Sequence, residues 1–172
     1  MSSADFDSRQ FRDVLGHFPT GVTVVTGRDR RGNPHGITIG SFVSVSLDPP
    51  LVGFLPGKSS RSWPLMAESG TFCVNILGAD QSDLCWRFAK EPAEGDDGAA
   101  SKFDGAPWVP APSGAPLLSG VIGWIDCEVE SVHDVGDHYF VVGRVHHLGH
   151  AAEVGDAMVF FRGKVASVAR PT

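Results

Sequence analysis

The stretch GITIGSFVSVSLDPPL, residues 36–51, has the alternation of a β-strand with two faces of different character. Alternate residues of a strand point to opposite sides of its sheet. One face is mostly apolar and is expected in the core: Ile37, Ile39, Ser41, Val43, Val45 and Leu47. The other face is small, hydroxyl-bearing and uncharged: Gly36, Thr38, Gly40, Phe42, Ser44 and Ser46. A solvent-facing strand normally carries charged residues, so this second face indicates a different neighbour.

The second face has two interpretations. Glycine lets a ligand approach the backbone closely, and hydroxyls donate or accept hydrogen bonds, so the face suits a flat molecule with polar edges. Phe42 interrupts the alternation next to Gly40 and Ser41, which predicts a bulge that re-aims side chains towards a site. The alternative is packing against a small-residue surface of a neighbouring strand or of another subunit. The strand alone does not decide between them.

The composition predicts one soluble, cytoplasmic domain. The chain has 172 residues, of which 42% are hydrophobic and 20% charged, as in an ordinary globular protein that buries a core. Its net charge of −6 comes with no basic stripe for nucleic acid. The first residues lack the pattern of a secretory signal, and no apolar run reaches the roughly 20 residues of a membrane-spanning helix. Three cysteines without a CxxC pair indicate reduced, buried thiols.

The hydrophobic pattern predicts seven or eight strands and two or three short helices. Helices are expected over 8–18 with Ser8 as cap, within 57–70 with Ser59 or Ser60 as cap, and from Asp80 to Phe88. Strands are expected over 22–26, 36–48, 51–55, 71–77, 121–132, 138–148 and 158–168, with a hairpin connection over 134–137. Residues 91–116 lack periodicity and are expected to form a surface loop. Because strands dominate, the pattern favours a barrel or sandwich, with 1–172 as a single domain.

Two further patterns bear on function, and several common ones are missing. The sequence has no Rossmann, P-loop or hydrolase-elbow motif. His146, His147 and His150 form HHxxH, but adjacent strand residues point to opposite faces, so exposed or capping histidines are favoured over a metal site. GKSSRS, residues 57–62, places two cations and three hydroxyls at a predicted helix start, which favours a bound anion such as phosphate. The alternative is a capped helix with a solvated basic edge.

The chain resembles the flavin reductase-like family of FMN-binding split-barrel proteins over about residues 10–168. A flat cofactor with a phosphate would occupy both stretches discussed above. The shared motifs, in family order, are FPTGVTVVT (18–26), GITIGSFVSVSLDPPL (36–51), KSSRSW (58–63), FCVNIL (72–77), RFA (87–89), KFDG (102–105), PLLSG (116–120), GDH (136–138) and FRG (161–163). The resemblance is strongest to the small reductase components of two-component flavin-dependent monooxygenases.

The resemblance implies a mainly β Greek-key split barrel with a few short helices, assembled as a homodimer. It implies an NADH-dependent flavin reductase, in which hydride passes from nicotinamide to free FAD, with FMN as the alternative. Reduced flavin would then leave for a separate monooxygenase. Neither a metal, a nucleic acid nor a membrane is implied as a partner.

The resemblance also assigns site residues by position. The flavin would be lined by Gly36, Ile37, Thr38, Gly40 and Ser41. Its phosphate and ribityl end would be held by Leu55, Pro56, Gly57, Lys58, Ser59, Ser60 and Arg61, with Arg87 near the phosphate or adenosine. The nicotinamide nucleotide would meet His138, Phe161, Arg162, Gly163 and Lys164. His138 is the candidate catalytic residue, orienting the carboxamide; its alternative role is a hydrogen bond to Asp137 or to backbone.

The chain departs from the family at two positions, and two other functions compete with reduction of free flavin. Many relatives carry a larger polar residue at the position of Gly40 and an aromatic one at Val165. The four tryptophans are interpreted as core or dimer-interface residues: Trp63, Trp86, Trp108 and Trp124. The competing functions are a split-barrel oxidase that retains its flavin and a non-catalytic flavin-binding protein. Either would purify with yellow flavin, whereas a reductase is expected to be mostly colourless.

Overall fold

The computed structural model describes residues 5–91, 99–153 and 155–169. The helices are α1 (Ser8–Leu15), α2 (Ser62–Ala67), α3 (Ser82–Ala89, preceded by a 3₁₀ turn at Ala79–Gln81) and α4 (Ala99–Phe103). The strands are β1 (Thr20–Gly21), β2 (Thr23–Arg28), β3 (Pro34–Ile39), β4 (Val43–Leu47), β5 (Pro50–Phe54), β6 (Thr71–Ile76), β7 (Trp108–Pro110), β8 (Pro116–Leu118), β9 (Gly123–Val135), β10 (His138–His150), β11 (Ala157–Phe161) and β12 (Lys164–Val168). None of the helices in these ranges is both long and apolar enough to span a membrane.

Seven strands form one antiparallel sheet in the order β3-β2-β6-β9-β10-β5-β4. If this sheet were flat, its edge strands would lie about 29 Å apart, six spacings of about 4.8 Å. The edge strands β3 and β4 are, however, consecutive in the chain, and residues 40–42 between them reach at most about 15 Å. The sheet therefore curls until its edges approach each other. Because β3 and β4 do not pair, the barrel stays split at residues 40–42.

Both faces of β2, the neighbour of the edge strand β3, are buried. Val25 packs inside the barrel with Phe54, Phe72 and, from α2, Trp63. Val24 faces outward into a second cluster formed with α3, the end of α4 and the residues that follow it, including Phe88, Phe103 and Leu118. Fully burying one such side chain contributes about 1.5–3 kcal/mol. This double burial fits the β-branched sequence of the strand and confirms the predicted strand over residues 22–26.

The prediction of one strand over residues 36–48 is wrong. The strand is interrupted at residues 40–42, and its two halves form opposite edges of the sheet. Ile39 is buried as expected, but Val43 and Val45 are exposed and Leu47 is 91% exposed, so the apolar face reaches the core only in β3. The interruption includes Phe42, where a bulge was expected, and a further register shift lies between Ser44 and Ser46. The predicted strand 51–55 is confirmed as β5.

The expectation of a surface loop over 91–116 is wrong for its described part. Residues 99–116 contain α4, the strand β7 and the start of β8, while 92–98 lie outside the described residues. Lys102 and Phe103 are buried, and Ala111 and Ala115 pack against Cys73. Alanines at such contacts leave no amphipathic pattern, which is why the sequence indicated a loop. All three cysteines are buried and unpaired, which confirms the expected thiols.

The two ends of the described chain meet in a small three-stranded sheet, β1-β11-β12. The predicted strand 158–168 is in fact a hairpin, because Arg162 and Gly163 both have positive φ angles, 50° and 78°, as in a type I′ turn. This hairpin and the break at residues 40–42 help to explain why the strands number twelve in the described ranges instead of seven or eight. At the other end, the cap of α1 is Asp7 and not Ser8, since the Asp7 carboxylate accepts the Gln10 N–H at 2.7 Å.

Candidate active-site cleft

A cleft of about 330 Å³ lies between the edge strand β3, the helix α3 and the strand β11. Three of the predicted flavin residues line it: Ile37, Thr38 and Gly40. The remaining lining residues, which the sequence interpretation did not select for a site, are Val22, Cys85, Trp86, Ala89, Glu91 and Phe160. The lining is largely apolar and aromatic with few polar groups, which is the usual composition of a small-molecule site.

The Thr38 hydroxyl is held in a fixed hydrogen-bonding role. It donates to the carbonyl oxygen of Cys85 at 2.7 Å, and this bond ties β3 to α3 across the cleft. A hydroxyl has only one proton to donate, so only its lone pairs remain for a ligand. Thr38 can therefore accept a hydrogen bond from a ring N–H but cannot donate one without losing the bond to Cys85.

An aromatic pair forms one wall of the cleft. The rings of Trp86 and Phe160 meet edge to face with centroids 6.3 Å apart, and Trp86 remains 46% exposed. Trp63 lies in the core as expected, whereas Trp86 does not. The helical spacing of α3 indicates the direction of the Trp86 side chain. Cys85 and Phe88 are buried three residues apart, so Trp86 must point off the buried face.

Gly36 lies beneath the cleft and is not among its lining residues. A Cβ atom at this position would lie 2.7 Å from two ring atoms of Phe88, so glycine is needed for α3 to pack on β3. Its carbonyl accepts a hydrogen bond from the buried Lys102 ammonium at 3.1 Å. Gly40 is exposed at the barrel split, and a Cβ there would lie 3.0 Å from the Thr20 hydroxyl. A larger residue would be tight here, which is a local reason for the departure from the family pattern.

The predicted phosphate loop, residues 55–61, borders the cleft at both ends. At its start, the Leu55 N–H donates to the hydroxyl of Ser41, the neighbour of Gly40, at 3.0 Å. At its end, the Arg61 N–H donates to the carboxylate of Glu91, a cleft residue, at 3.2 Å. The loop therefore runs along the rim of the cleft between these two anchors.

The middle of this loop is attached to the tip of the β9–β10 hairpin. Gly57 forms a bridge with His138, and the Tyr139 N–H donates to the Pro56 carbonyl at 3.0 Å. The Lys58 N–H donates to the Asp137 carbonyl at 2.9 Å. The Lys58 ammonium donates to the Asp134 carboxylate, and this bond raises the pKa of Lys58.

The hairpin histidine lies beside the loop in a defined orientation. The Nδ1 of His138 is 2.7 Å from the Asp137 carboxylate, and this hydrogen bond lowers the pKa of Asp137. A carboxylate only accepts, so Nδ1 carries the proton and Nε2 remains on the side of Gly57. The bond to Asp137, the alternative role, is confirmed; the role towards nicotinamide stays a prediction.

The remaining predicted residues divide between the loop and more distant positions. Ser60 is buried and its hydroxyl accepts the Trp63 N–H at 3.3 Å, so it supplies the side-chain bond at the start of α2. Arg87 donates to the Asp104 carbonyl and is not among the cleft residues. Phe161, Arg162 and Lys164 surround a separate hollow of about 480 Å³. The β11 strand nevertheless connects the two places, because Phe160 faces the cleft.

Two histidines of the HHxxH pattern, His146 and His150, take part in ordinary surface contacts. The Nε2 of His146 is 3.2 Å from the Glu128 carboxylate, and His150 bonds to the Ala151 carbonyl through Nδ1. In residues 5–91, 99–153 and 155–169, no three His, Cys, Asp or Glu side chains are grouped as metal ligands would be.

Comparison with known proteins gives the family. The family model for a flavin reductase-like domain matches residues 15–169. A flavin reductase of Pseudomonas putida is 45% identical over 157 residues, covering 91% of this chain and 88% of the relative. The HsaB reductase subunit of a flavin-dependent monooxygenase from Rhodococcus jostii is 44% identical over 168 residues, covering 98% and 82%. The NADH:FAD oxidoreductase SgcE6 of Streptomyces globisporus, solved with NAD and FAD fragments, is 34% identical with a TM-score of 0.85 and 98% coverage of both chains. The chain belongs to the flavin reductase-like family.

Proposed function

We propose that this protein uses NADH to reduce free FAD, or FMN in its place, and supplies the reduced flavin to a separate monooxygenase. One observation carries the proposal: a cleft with an aromatic wall opens beside a loop of cations and hydroxyls, and the middle of that loop pairs with His138. The names of the relatives support it, since HsaB is the reductase subunit of a flavin-dependent monooxygenase and SgcE6 an NADH:FAD oxidoreductase.

The cleft residues fit a flavin ring. A cleft of about 330 Å³ lies within the usual range of small-molecule sites, and an isoalloxazine ring is flat with polar edges. Trp86 and Phe160 offer aromatic surface to it, while Thr38 accepts from a ring N–H. The backbone at Gly40 and Ser41 lies at the open edge of the barrel, where a ligand can approach closely. Ile37 and Ala89 complete the apolar lining.

The loop 55–61 fits the phosphate and ribityl end of the flavin. It adjoins the cleft through the Ser41–Leu55 and Arg61–Glu91 hydrogen bonds, so a tail leaving the cleft follows the loop. Lys58 and Arg61 supply positive charge there, and the Ser59 hydroxyl supplies a further polar contact. The helix α2 has only six residues, so these side chains and the loop backbone, more than a helix dipole, hold the phosphate.

The protein contributes alignment and exclusion of water. When bound, the flavin supplies the hydride-accepting chemistry, which needs little acid–base help from side chains. His138 orients the nicotinamide carboxamide through Nε2, because Nδ1 is engaged by Asp137. Phe161, Arg162, Gly163 and Lys164 contact the remainder of the nicotinamide nucleotide from the adjoining hairpin. Arg87 lies towards the adenosine end.

The protein acts as a homodimer in the cytoplasm. Helix α1 and the turn that follows it leave four apolar side chains exposed: Phe11, Val14, Leu15 and Phe18. On the edge strand β4, Val43, Val45 and Leu47 are exposed as well. Apolar patches of this kind are typical of subunit interfaces, and a second copy would cover them. The three unpaired thiols suit a reducing compartment.

The test is steady-state NADH oxidation by the purified protein with added FAD, FMN or no flavin. We expect a mostly colourless protein whose turnover is saturable in free flavin and absent without it. A protein that stays yellow and oxidises a substrate with its retained flavin would instead be an oxidase. Tight flavin binding without NADH turnover would identify a flavin-binding protein and refute the proposal.

A further inference from the structure

The cation at the centre of the predicted phosphate loop already has an anionic partner. The Lys58 ammonium donates to the Asp134 carboxylate, a residue 76 positions away in sequence. The bond is the largest cause of the raised pKa of Lys58, and the charges of Asp134 and Asp137 add to it. Any phosphate that uses Lys58 must therefore replace or share this carboxylate.

The register of the β9–β10 hairpin places two of the groups that surround this ammonium next to each other. Asp134 and Tyr139 are directly opposite each other across the two strands. The Lys58 ammonium lies 5.5 Å from the centroid of the Tyr139 ring, within the distance of a cation–π contact. The backbone of Lys58 is fixed at the same place, since its N–H donates to the Asp137 carbonyl. The Asp134 carboxylate, the Tyr139 ring and the Asp137 carbonyl thus all fix Lys58 at the hairpin tip.

The ion pair is accessible to solvent and so can be exchanged. The Lys58 side chain is 36% exposed and that of Asp134 is 73% exposed. Exposed pairs of this kind are weakened by water and salt and contribute little stability. The pyrophosphate of FAD, or the single phosphate monoester of FMN, carries more negative charge and more acceptor oxygens than one carboxylate, so it can take the ammonium from Asp134.

We propose that Asp134 competes with the flavin phosphate for Lys58 and so lowers the affinity of the protein for flavin. This inference rests on the proposed function, in which loop 55–61 holds the phosphate. A reductase that hands its product to another enzyme must release it, and a carboxylate that recaptures Lys58 on release favours exchange. Asp134 thereby sets the affinity without contacting the flavin ring.

The test is a double-mutant cycle on the dissociation constant of FAD, measured at low salt by fluorescence. Asp134→Asn removes the charge at nearly constant shape. It should lower the dissociation constant of FAD by up to about fivefold, which corresponds to the free energy of a strong surface ion pair. Lys58→Met should weaken FAD, and Asp134→Asn should have no effect in the Lys58→Met background. Riboflavin, which has no phosphate, should bind equally well to the wild type and to Asp134→Asn.

Glu130→Gln is the matched control. Glu130 lies on the same strand and is exposed, but its carboxylate is paired with Arg144 at 2.8 Å. The variant removes the same charge from the hairpin without touching Lys58, so FAD affinity should stay at the wild-type value. An equal tightening in Glu130→Gln would show a general effect of net charge and overturn the proposal.

The outcomes separate this inference from the proposed function. If Lys58→Met leaves FAD affinity unchanged, the phosphate assignment of Lys58 fails, and this inference fails with it. If Lys58→Met weakens FAD while Asp134→Asn leaves it unchanged or weakens it, the phosphate site stands and the competition is refuted. Equal tightening of riboflavin and FAD in Asp134→Asn would also refute it.

Discussion

Replacing Gly36 of β3 with alanine tests why a glycine lies beneath the cleft. The new Cβ would lie 2.7 Å from two atoms of the Phe88 ring, a separation that real structures do not tolerate. The ring cannot move away freely, because Phe88 is fully buried and packs edge to face on Phe103 at 5.0 Å. Helix α3 must therefore shift away from β3. That shift would strain the hydrogen bond from Thr38 to the Cys85 carbonyl.

The magnitude follows from these two contacts. Overpacking a core position costs about 1–3 kcal/mol, and loss of the Thr38 bond costs about 0.5–1.5 kcal/mol. Together they destabilise Gly36→Ala by about 1.5–4.5 kcal/mol, which lowers the melting temperature of a chain of this size by about 3–18 °C. Flavin affinity should fall as well, since the same shift alters the cleft wall.

The assay is thermal unfolding followed by fluorescence, combined with flavin titration. Gly21→Ala is the matched control, because a Cβ at Gly21 meets nothing within 4 Å, and it should melt like the wild type. Phe88→Leu should partly relieve the clash, so the double variant should be less destabilised than the sum of the single ones. A Gly36→Ala protein with wild-type stability but poor flavin binding would show that the glycine serves the ligand and not the packing.

Three further predictions concern the cleft and the turn after β2. Trp86→Ala should raise the dissociation constant of flavin about two- to twelvefold, which corresponds to the free energy of one aromatic contact. The melting temperature should change little, because the side chain is half exposed. Unchanged affinity would remove Trp86 from the site. Thr38→Val should lower both stability and flavin affinity, whereas Thr38→Ser keeps the hydroxyl and should preserve both; equal losses in the two variants would refute the role of the hydroxyl. Burial alone would raise the pKa of Asp29, but hydrogen bonds from Asn33, His35 and Arg31 outweigh it and lower that pKa to about 2. The stability that this carboxylate contributes is therefore present above about pH 4 and lost as the pH falls towards 2, and acid unfolding of Asp29→Asn should lack that part of the pH dependence.

Strands β2, β9 and β10 could be predicted because their local sequence pattern matches the burial and pairing that they have in the structure. The β-branched run of β2 and the long hairpin of β9 and β10 carry the expected pattern, and the structure buries or pairs them accordingly. The break at residues 40–42 could not be predicted in the same way. The alternation continues through Ser41, and only closure of a seven-stranded sheet requires the chain to leave one edge for the other.

The parts of the candidate site that lie in contiguous motifs could be predicted from the sequence. The parts that depend on contacts between distant positions of the chain could not. Ile37, Thr38 and Gly40 line one cleft, and the loop 55–61 is hydrogen-bonded to residues at its rim; their contacts with flavin stay predictions. Trp86 is not in the core, and the alternative expectation of a dimer interface stays a prediction. The pairing of Lys58 with Asp134 depends on the register of a hairpin tip, and local sequence carries no signal for it.

The decisive experiment is a structure of the protein in complex with FAD. We expect the isoalloxazine ring between β3 and α3, within contact distance of Trp86 and with the Thr38 hydroxyl accepting from a ring N–H. We also expect the phosphate within hydrogen-bond distance of Lys58, with the Lys58–Asp134 bond broken or shared. A flavin bound elsewhere on the chain, with this cleft unchanged and Lys58 still paired only with Asp134, would contradict these expectations.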